Sequence, residues 1–242
     1  MRSSVFLWVG LGCLLACGSS SSDDGASSSS GGGGGGGGDG PVVPLSSEQK
    51  AGIATYYDAT GEGSCSFDKS KDLDVVALNF PEFAKSASCG SCLRVQGTKG
   101  EVVVRVVDSC PGCEEGHLDL SESAFAKIDD KVKGRVKITY QKVACNVSGN
   151  MSYRFKEGSS QYWTAIQVRN HRIPITKLEV KKDGAYVDFP RTDYNYFVNP
   201  KGAGKQDTLS IRITGEGGET VEDTISGGIV EGKTSPGSVQ FK

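Results

Sequence analysis

The sequence predicts a mainly β protein in two folded regions, a small covalently stapled barrel followed by a two-sheet sandwich. Three observations carry this prediction. From Ala51 onward, short β-type runs alternate with turn residues. After Gly149 the pattern is strand and turn only. Six cysteines lie between Cys65 and Cys145 and none beyond, so one region can be cross-linked while the other depends on its own apolar core.

Ahead of the folded regions, Met1–Ser4 carries one cation, and an apolar run continues from Val5 to Ala16. A spanning helix needs about 20 apolar residues, so this run is too short to cross a bilayer. A basic tip before a short apolar stretch is the pattern of a secretory signal. Leu14-Leu15-Ala16-Cys17 resembles the lipobox of bacterial lipoproteins. Residues 1–16 are therefore expected to be a signal peptide, and Cys17 the acylated mature N-terminus. Gly18 follows rather than Asp. The expected destination is the outer membrane or cell surface, held by the lipid, or release as a secreted protein. Residues 17–44, mostly Ser and Gly with eight glycines from Gly31 to Gly38, cannot bury enough apolar surface to offset their ordering entropy. They read as a tether with an r.m.s. span of roughly 30 Å.

Residues 45–147 form the first expected domain. Candidate strands are Ile53–Tyr57, Val75–Leu78, Leu93–Gln96, Val102–Val107 and Val136–Val143, several β-branched and nearly continuous, as buried barrel strands are. Gly97–Gly100 reads as a hairpin turn, and short helices fit Pro81–Ser86 and the stretch after Ser121 through Ile128. Residues 148–242 form the second. Ser152–Lys156, Tyr162–Arg169, Thr176–Val180, Ala185–Phe189, Tyr194–Val198, Thr208–Thr214 and Glu219–Thr224 are separated by Gly, Asp, Pro and Asn, which suggests a sandwich.

Net charge is −2, from 27 Lys and Arg against 29 Asp and Glu, with no polybasic tract, which argues against nucleic acid as a partner. Cys65, Cys89, Cys92, Cys110, Cys113 and Cys145 are even in number and face an oxidising compartment, which favours three disulfides; spacing does not choose among the fifteen pairings. The spacing of Cys89-x-x-Cys92 and Cys110-x-x-Cys113 also fits a four-thiolate zinc site. Disulfides and no metal are expected, because exported thiols tend to oxidise and zinc would leave Cys65 and Cys145 free.

Three stretches together carry a family resemblance: Gly52–Tyr57; Val107–Cys113 with His117–Ser121; and Tyr153–Trp163 running on through Ile166–His171. This pattern resembles the expansins, and the last stretch is close to their bacterial branch. The resemblance implies a six-stranded double-psi β-barrel followed by an immunoglobulin-like β-sandwich. It also implies a cofactor-free, monomeric protein that binds cellulose and related plant cell-wall glucans and loosens walls without hydrolysis. The membrane would be met only through the lipid anchor. The paired cysteines around Asp108 look more like plant expansins than the cysteine-poor bacterial type.

Site residues follow from the same match. Thr55, Tyr57, Asp108 and Asp119 would line a polysaccharide groove, with Asp119 at the family's acid-like position. Glycoside hydrolysis normally needs a second carboxylate as base or nucleophile. In the related family 45 endoglucanases the base follows the Thr-x-Tyr segment by two residues, which here is Ala59, and Asp58 is one residue early. An acid without its partner should bind sugar rather than cut it, so no catalytic residue is assigned. The rival reading is a polysaccharide-cleaving enzyme on the same barrel, an endoglucanase or a lytic transglycosylase. Tyr162, Trp163 and Tyr194, with Lys156 nearby, would form the cellulose-binding platform, flat rings against flat sugar faces. Tyr162 stands where close relatives carry tryptophan, and Cys110 stands where bacterial expansins carry a groove tyrosine. Neighbours on a regular strand point to opposite faces, so a Tyr162–Trp163 pair on one face calls for an irregular strand entrance, which Gly158-Ser159-Ser160 would provide.

Overall fold

The computed structural model describes residues 43–242; the expected signal peptide, Cys17 and the tether through residue 42 lie outside them. Among the described residues no helix is long and apolar enough to cross a membrane. Val43 and Pro44, at the end of the expected tether, already pair with Ala144 and Val143.

Six strands close a barrel: β1 (Lys50–Tyr57), β2 (Val75–Asn79), β3 (Cys92–Gln96), β4 (Glu101–Cys110), β5 (His117–Ser121) and β6 (Val136–Val143), in the order β1-β5-β2-β4-β3-β6. The β1–β5 and β2–β4 pairs are parallel and the others antiparallel. Inside lie small and branched residues, among them Ala54, Val76, Leu78, Val95, Val104, Val106, Leu118 and Leu120. A six-stranded interior is narrow, and most of the strand residues that fill it are aliphatic, with Tyr140 of β6 the one ring they contribute to this cluster. Phe125 of α2 (Glu122–Ile128) is fully buried and caps this core. The α2 helix starts where the sequence places it, because the Ser121 hydroxyl accepts from the Ala124 N–H at 3.1 Å.

Helix α1 is shorter than expected, Phe80–Phe83 rather than Pro81–Ser86. Asn79 caps its start, but Ala84, Lys85 and Ser86 all take positive φ, a conformation that cannot continue a right-handed helix. The hairpin at Gly97–Gly100 joins β3 to β4 as expected.

The cysteines pair as Cys65–Cys89, Cys92–Cys145 and Cys110–Cys113. The two Cys-x-x-Cys motifs therefore do not converge on one centre. The first splits, one thiol to Cys65 and the other to Cys145, while the second closes on itself.

Beyond the barrel, two antiparallel four-stranded sheets share one core. One sheet has the order β10-β9-β12-β13 and the other β11-β8-β7-β14. The strands are β7 (Ser152–Phe155), β8 (Thr164–Arg169), β9 (Ile175–Lys182), β10 (Ala185–Asp188), β11 (Phe197–Asn199), β12 (Thr208–Gly215), β13 (Thr220–Ser226) and β14 (Thr234–Pro236). Their core holds Met151, Tyr153, Phe155, Phe189, Phe197 and Phe241 with the aliphatic faces of β8, β9 and β12. Two strands begin later than expected, β8 at Thr164 rather than Tyr162 and β11 at Phe197 rather than Tyr194. Both delays leave an expected binding aromatic on a turn.

Candidate functional site

On the outer face of the barrel the strand register lines up a row of four residues. Thr55 of β1 is opposite Asp119 of β5, Asp119 is opposite Ala77 of β2, and Ala77 is opposite Asp108 of β4. Residues directly opposed on neighbouring strands point to the same side of a sheet. With strands about 4.8 Å apart, the Asp119 and Asp108 backbones stand roughly 10 Å apart across the Ala77 methyl. The result is a trough with a small residue at its centre and a carboxylate on either side.

Asp108 reaches this face because of a bulge. Val104 and Val106 point inward, and strict alternation would send Asp108 inward after them. The β2–β4 register shifts at Val76/Ala77, so Val107 is left without a partner and Asp108 turns outward. Once there, one carboxylate oxygen accepts from the Ser64 N–H at 2.7 Å, the Ser64 hydroxyl at 2.8 Å and the Ser109 N–H at 2.8 Å.

Asp119 is held differently. The Thr55 hydroxyl donates to it at 2.6 Å, and the same oxygen lies 2.8 Å from His117 Nε2. Since the Thr55 proton goes to Asp119, its oxygen accepts from the Nε2–H tautomer of His117. Burial and the Arg135 charge lower the His117 pKa against the pull of Asp119 and Glu114, so the ring is neutral near pH 7. The two-residue spacing of His117 and Asp119 on β5 puts both on one face of the strand, as their spacing in the sequence implies.

Tyr57 also turns toward the trough. Its hydroxyl is buried and has no hydrogen-bond partner among the described residues, and burial, with Asp108 and Asp119 close by, pushes its pKa above the ordinary phenol value. Ala59, at the position where the family resemblance puts a hydrolytic base, is buried among Val75, Val107 and Tyr57, while Asp58 is exposed.

The aromatic residues sit at the mouth of the β8–β11 pair. Tyr162 is 74% exposed and Trp163 half-buried, both on a bend before β8 rather than on a strand. The bend is closed by Ser160 N–H to the Trp163 carbonyl at 2.7 Å and by the Thr164 hydroxyl to the Ser160 carbonyl at 2.7 Å. The loop at Gly202 packs beneath it; a side chain there would come within 2.1 Å of the Gln161 carbonyl oxygen. Tyr194 lies on the turn before β11, and its ring stands 5.9 Å from that of Tyr196. The Lys156 ammonium is 5.7 Å from the Tyr196 ring, which ties Lys156 to Tyr194 through a buried tyrosine. Sequence reasoning missed Tyr196, although the two-residue spacing from Tyr194 was visible.

A family model described as lytic transglycolase matches residues 49–140. Expansin-YoaJ of Bacillus subtilis (strain 168) is 41% identical over 179 residues, covering 70% of this chain and 76% of the relative. Expansin-like protein 5 of Dictyostelium discoideum is 33% identical over 186 residues, 71% of this chain and 77% of that one. The crystal structure of an apo expansin from Clavibacter michiganensis matches with a TM-score of 0.74 at 34% identity, over 81% of this chain and 98% of that one. A mutant of the same protein, in complex with cellohexaose, matches with the same TM-score at 33% identity.

Proposed function

The chain belongs to the expansin family, and from that premise we propose that it binds cellulose and related glucans of plant cell walls and loosens them without cutting. The reading divides the folded chain into a double-psi barrel, residues 45–147, and an immunoglobulin-like cellulose-binding sandwich, residues 148–242. Thr55, Tyr57, Asp108 and Asp119 line the groove on the barrel. Tyr162, Trp163 and Tyr194 form the platform with Lys156, and export with lipidation at Cys17 keeps the protein outside the cell.

The observation that carries the non-hydrolytic part is Ala59. A buried methyl stands where a base would be needed, so Asp119 has no partner there to activate water. Asp108 does stand on the trough face, but its donor-saturated oxygen is committed to holding the Ser64 loop. What remains is a surface that competes for the non-covalent contacts between glucan chains. Hydroxyl and carboxylate groups take sugar hydroxyls in the trough, and rings stack on pyranose faces at the platform.

A creep assay on stretched wall strips, run beside a reducing-sugar assay on the same sample, tests the proposal. Extension without soluble sugar is expected, and oligosaccharide release from amorphous cellulose would overturn it. The description of the matching barrel model favours one rival, a peptidoglycan-cleaving enzyme, and muropeptide release is the measurement that would support it.

A further inference from the structure

Several polar side chains link the sheets to the barrel, and two of those contacts converge on a single atom. Gln167 Nε2 and Asn195 Nδ2 both donate to the Cys65 carbonyl oxygen, at 2.9 Å and 3.1 Å. Both donors are buried, Gln167 fully and Asn195 to 3% exposure. Each is oriented by an arginine close to it in the chain: Arg169 Nε donates to the Gln167 carbonyl at 2.5 Å, and Arg191 Nη1 to that of Asn195 at 2.8 Å. Asn195 holds a φ of +64°, which asparagine tolerates better than most residues.

Cys65 is not a passive acceptor. Its N–H donates to the Val107 carbonyl at 3.0 Å, next to the bulge that turns Asp108 outward, and its sulfur is bonded to Cys89. Ser64, one residue earlier, supplies two of the three donors to Asp108. Gly63 lies flat on that carboxylate, since a side chain there would come within 2.4 Å of its carbon. On the other side, Asn195 is covalently next to Tyr194, and Gln167 lies on the strand that begins directly after Trp163. The path from each aromatic to the trough carboxylate runs through the same carbonyl.

We propose that Gln167 and Asn195 are positioning residues, clamping Cys65 so that the platform and the trough stay in register for one glucan chain lying across both. This rests on the reading of trough and platform as glucan-binding surfaces. Two subsites held in fixed register behave as one long site, and a chain spanning both gains affinity that neither half supplies alone. A clamp that loosens loses this gain while each half keeps its own contacts.

The test is the ratio of cellohexaose to cellotriose affinity, measured by calorimetry on the folded protein. Gln167→Met with Asn195→Gly removes both donors, adds no buried charge and keeps a residue that accepts positive φ. The hexaose preference is expected to fall at least roughly tenfold, with triose affinity within roughly twofold of wild type. Asp68→Asn removes an exposed ion pair to Arg169 at the same junction and should leave the ratio unchanged. A double variant that keeps the wild-type ratio overturns the proposal. If the double variant does not fold, Asn195→Gly alone is read the same way. A wild-type protein that binds neither oligosaccharide would instead defeat the glucan reading on which the inference stands.

Discussion

The barrel and the paired sheets close their cores by different means. The barrel interior is filled mainly by Val, Ala and Leu, and three disulfides reinforce it or its loops. The sheets have no cysteine and instead bury Tyr153, Phe155, Phe189, Phe197 and Phe241. Geometry accounts for the split. The rings that join the barrel core, Phe83, Phe125 and Tyr140, are fewer than those between the sheets, and the long loops shaping its trough bury little of their own surface, so covalent bonds hold what packing cannot. Two facing sheets enclose a thicker core that rings fill well. The same chain therefore places Asp108 and Asp119 on a stapled frame, and Tyr162, Trp163 and Tyr194 on turns of a ring-packed one.

The strongest test of this contrast is to remove the staple with the longest loop. Cys92–Cys145 spans 53 residues, a closure worth about 4 kcal/mol on the chain-entropy account. Cys92→Ser with Cys145→Ser should lower urea stability by about that much. The loss should appear first in barrel probes such as the amide protons of β3 and β6. If β7–β9 amides lost protection to the same extent, the two cores would be one cooperative unit and the contrast would concern composition only.

A second test uses acid. Burial, aided by Arg105 and Arg191 and opposed by the bond to the Ile173 carbonyl, holds the His171 imidazole near 3. The unfolded chain takes up this proton below about pH 6.5. Because the folded value is the lower one, the unfolded state binds more protons, and stability is lost as pH falls from about 6.5 toward 3. Between pH 7 and pH 5 this one group should cost about 2 kcal/mol. Urea midpoints at the two pH values check it. A His171→Gln protein with the same acid sensitivity would show that the loss arises elsewhere.

Much of this architecture was legible in the sequence. The β-branched runs gave the barrel strands because buried strands are nearly continuous in apolar residues, and Ser121 marked the start of α2 through its cap. The misses have local physical causes. Alternation cannot reveal the bulge at Val107, since an extra residue looks like any other valine until the partner strand fixes the register. Helix α1 stops early because three residues in a row adopt positive φ, and only Ser86 explains itself afterwards, by donating to the Thr192 carbonyl across the junction at 2.7 Å. In the sequence the Gly63–Cys65 loop stands out only by its cysteine. Its work on Asp108 depends on contacts 44 residues apart in the chain, beyond what spacing can show.

The platform offers a smaller effect, read in affinity rather than stability. Trp163→Ala removes a half-buried ring from the bend ahead of β8, and cellulose pull-down should weaken roughly tenfold, about 1.4 kcal/mol. Tyr162→Ala should weaken it less, for its ring is smaller. Equal binding by wild type and both variants would move the platform elsewhere on the sheets.

The least expected change comes from the third disulfide, and it separates stapling of the fold from stapling of the site. Cys110–Cys113 closes only three residues, so its share of chain entropy is the smallest, about 1.5 kcal/mol or less. It is also the one whose sulfur-bearing residues are both half-exposed, whereas Cys65, Cys89, Cys92 and Cys145 are buried to 4% exposure or below. Exposed disulfides are attacked first by thiols. Mild dithiothreitol should therefore open this bond alone, as alkylation and peptide mapping would report, lowering the melting temperature by no more than about 6 °C. Its place matters more than its energy. The bond joins the end of β4, two residues beyond Asp108, to the loop leading into β5 with His117 and Asp119. Opening it should weaken short-oligosaccharide binding in the trough while cellulose pull-down by the platform persists. Loss of both together would mean that the two surfaces do not act as separable parts.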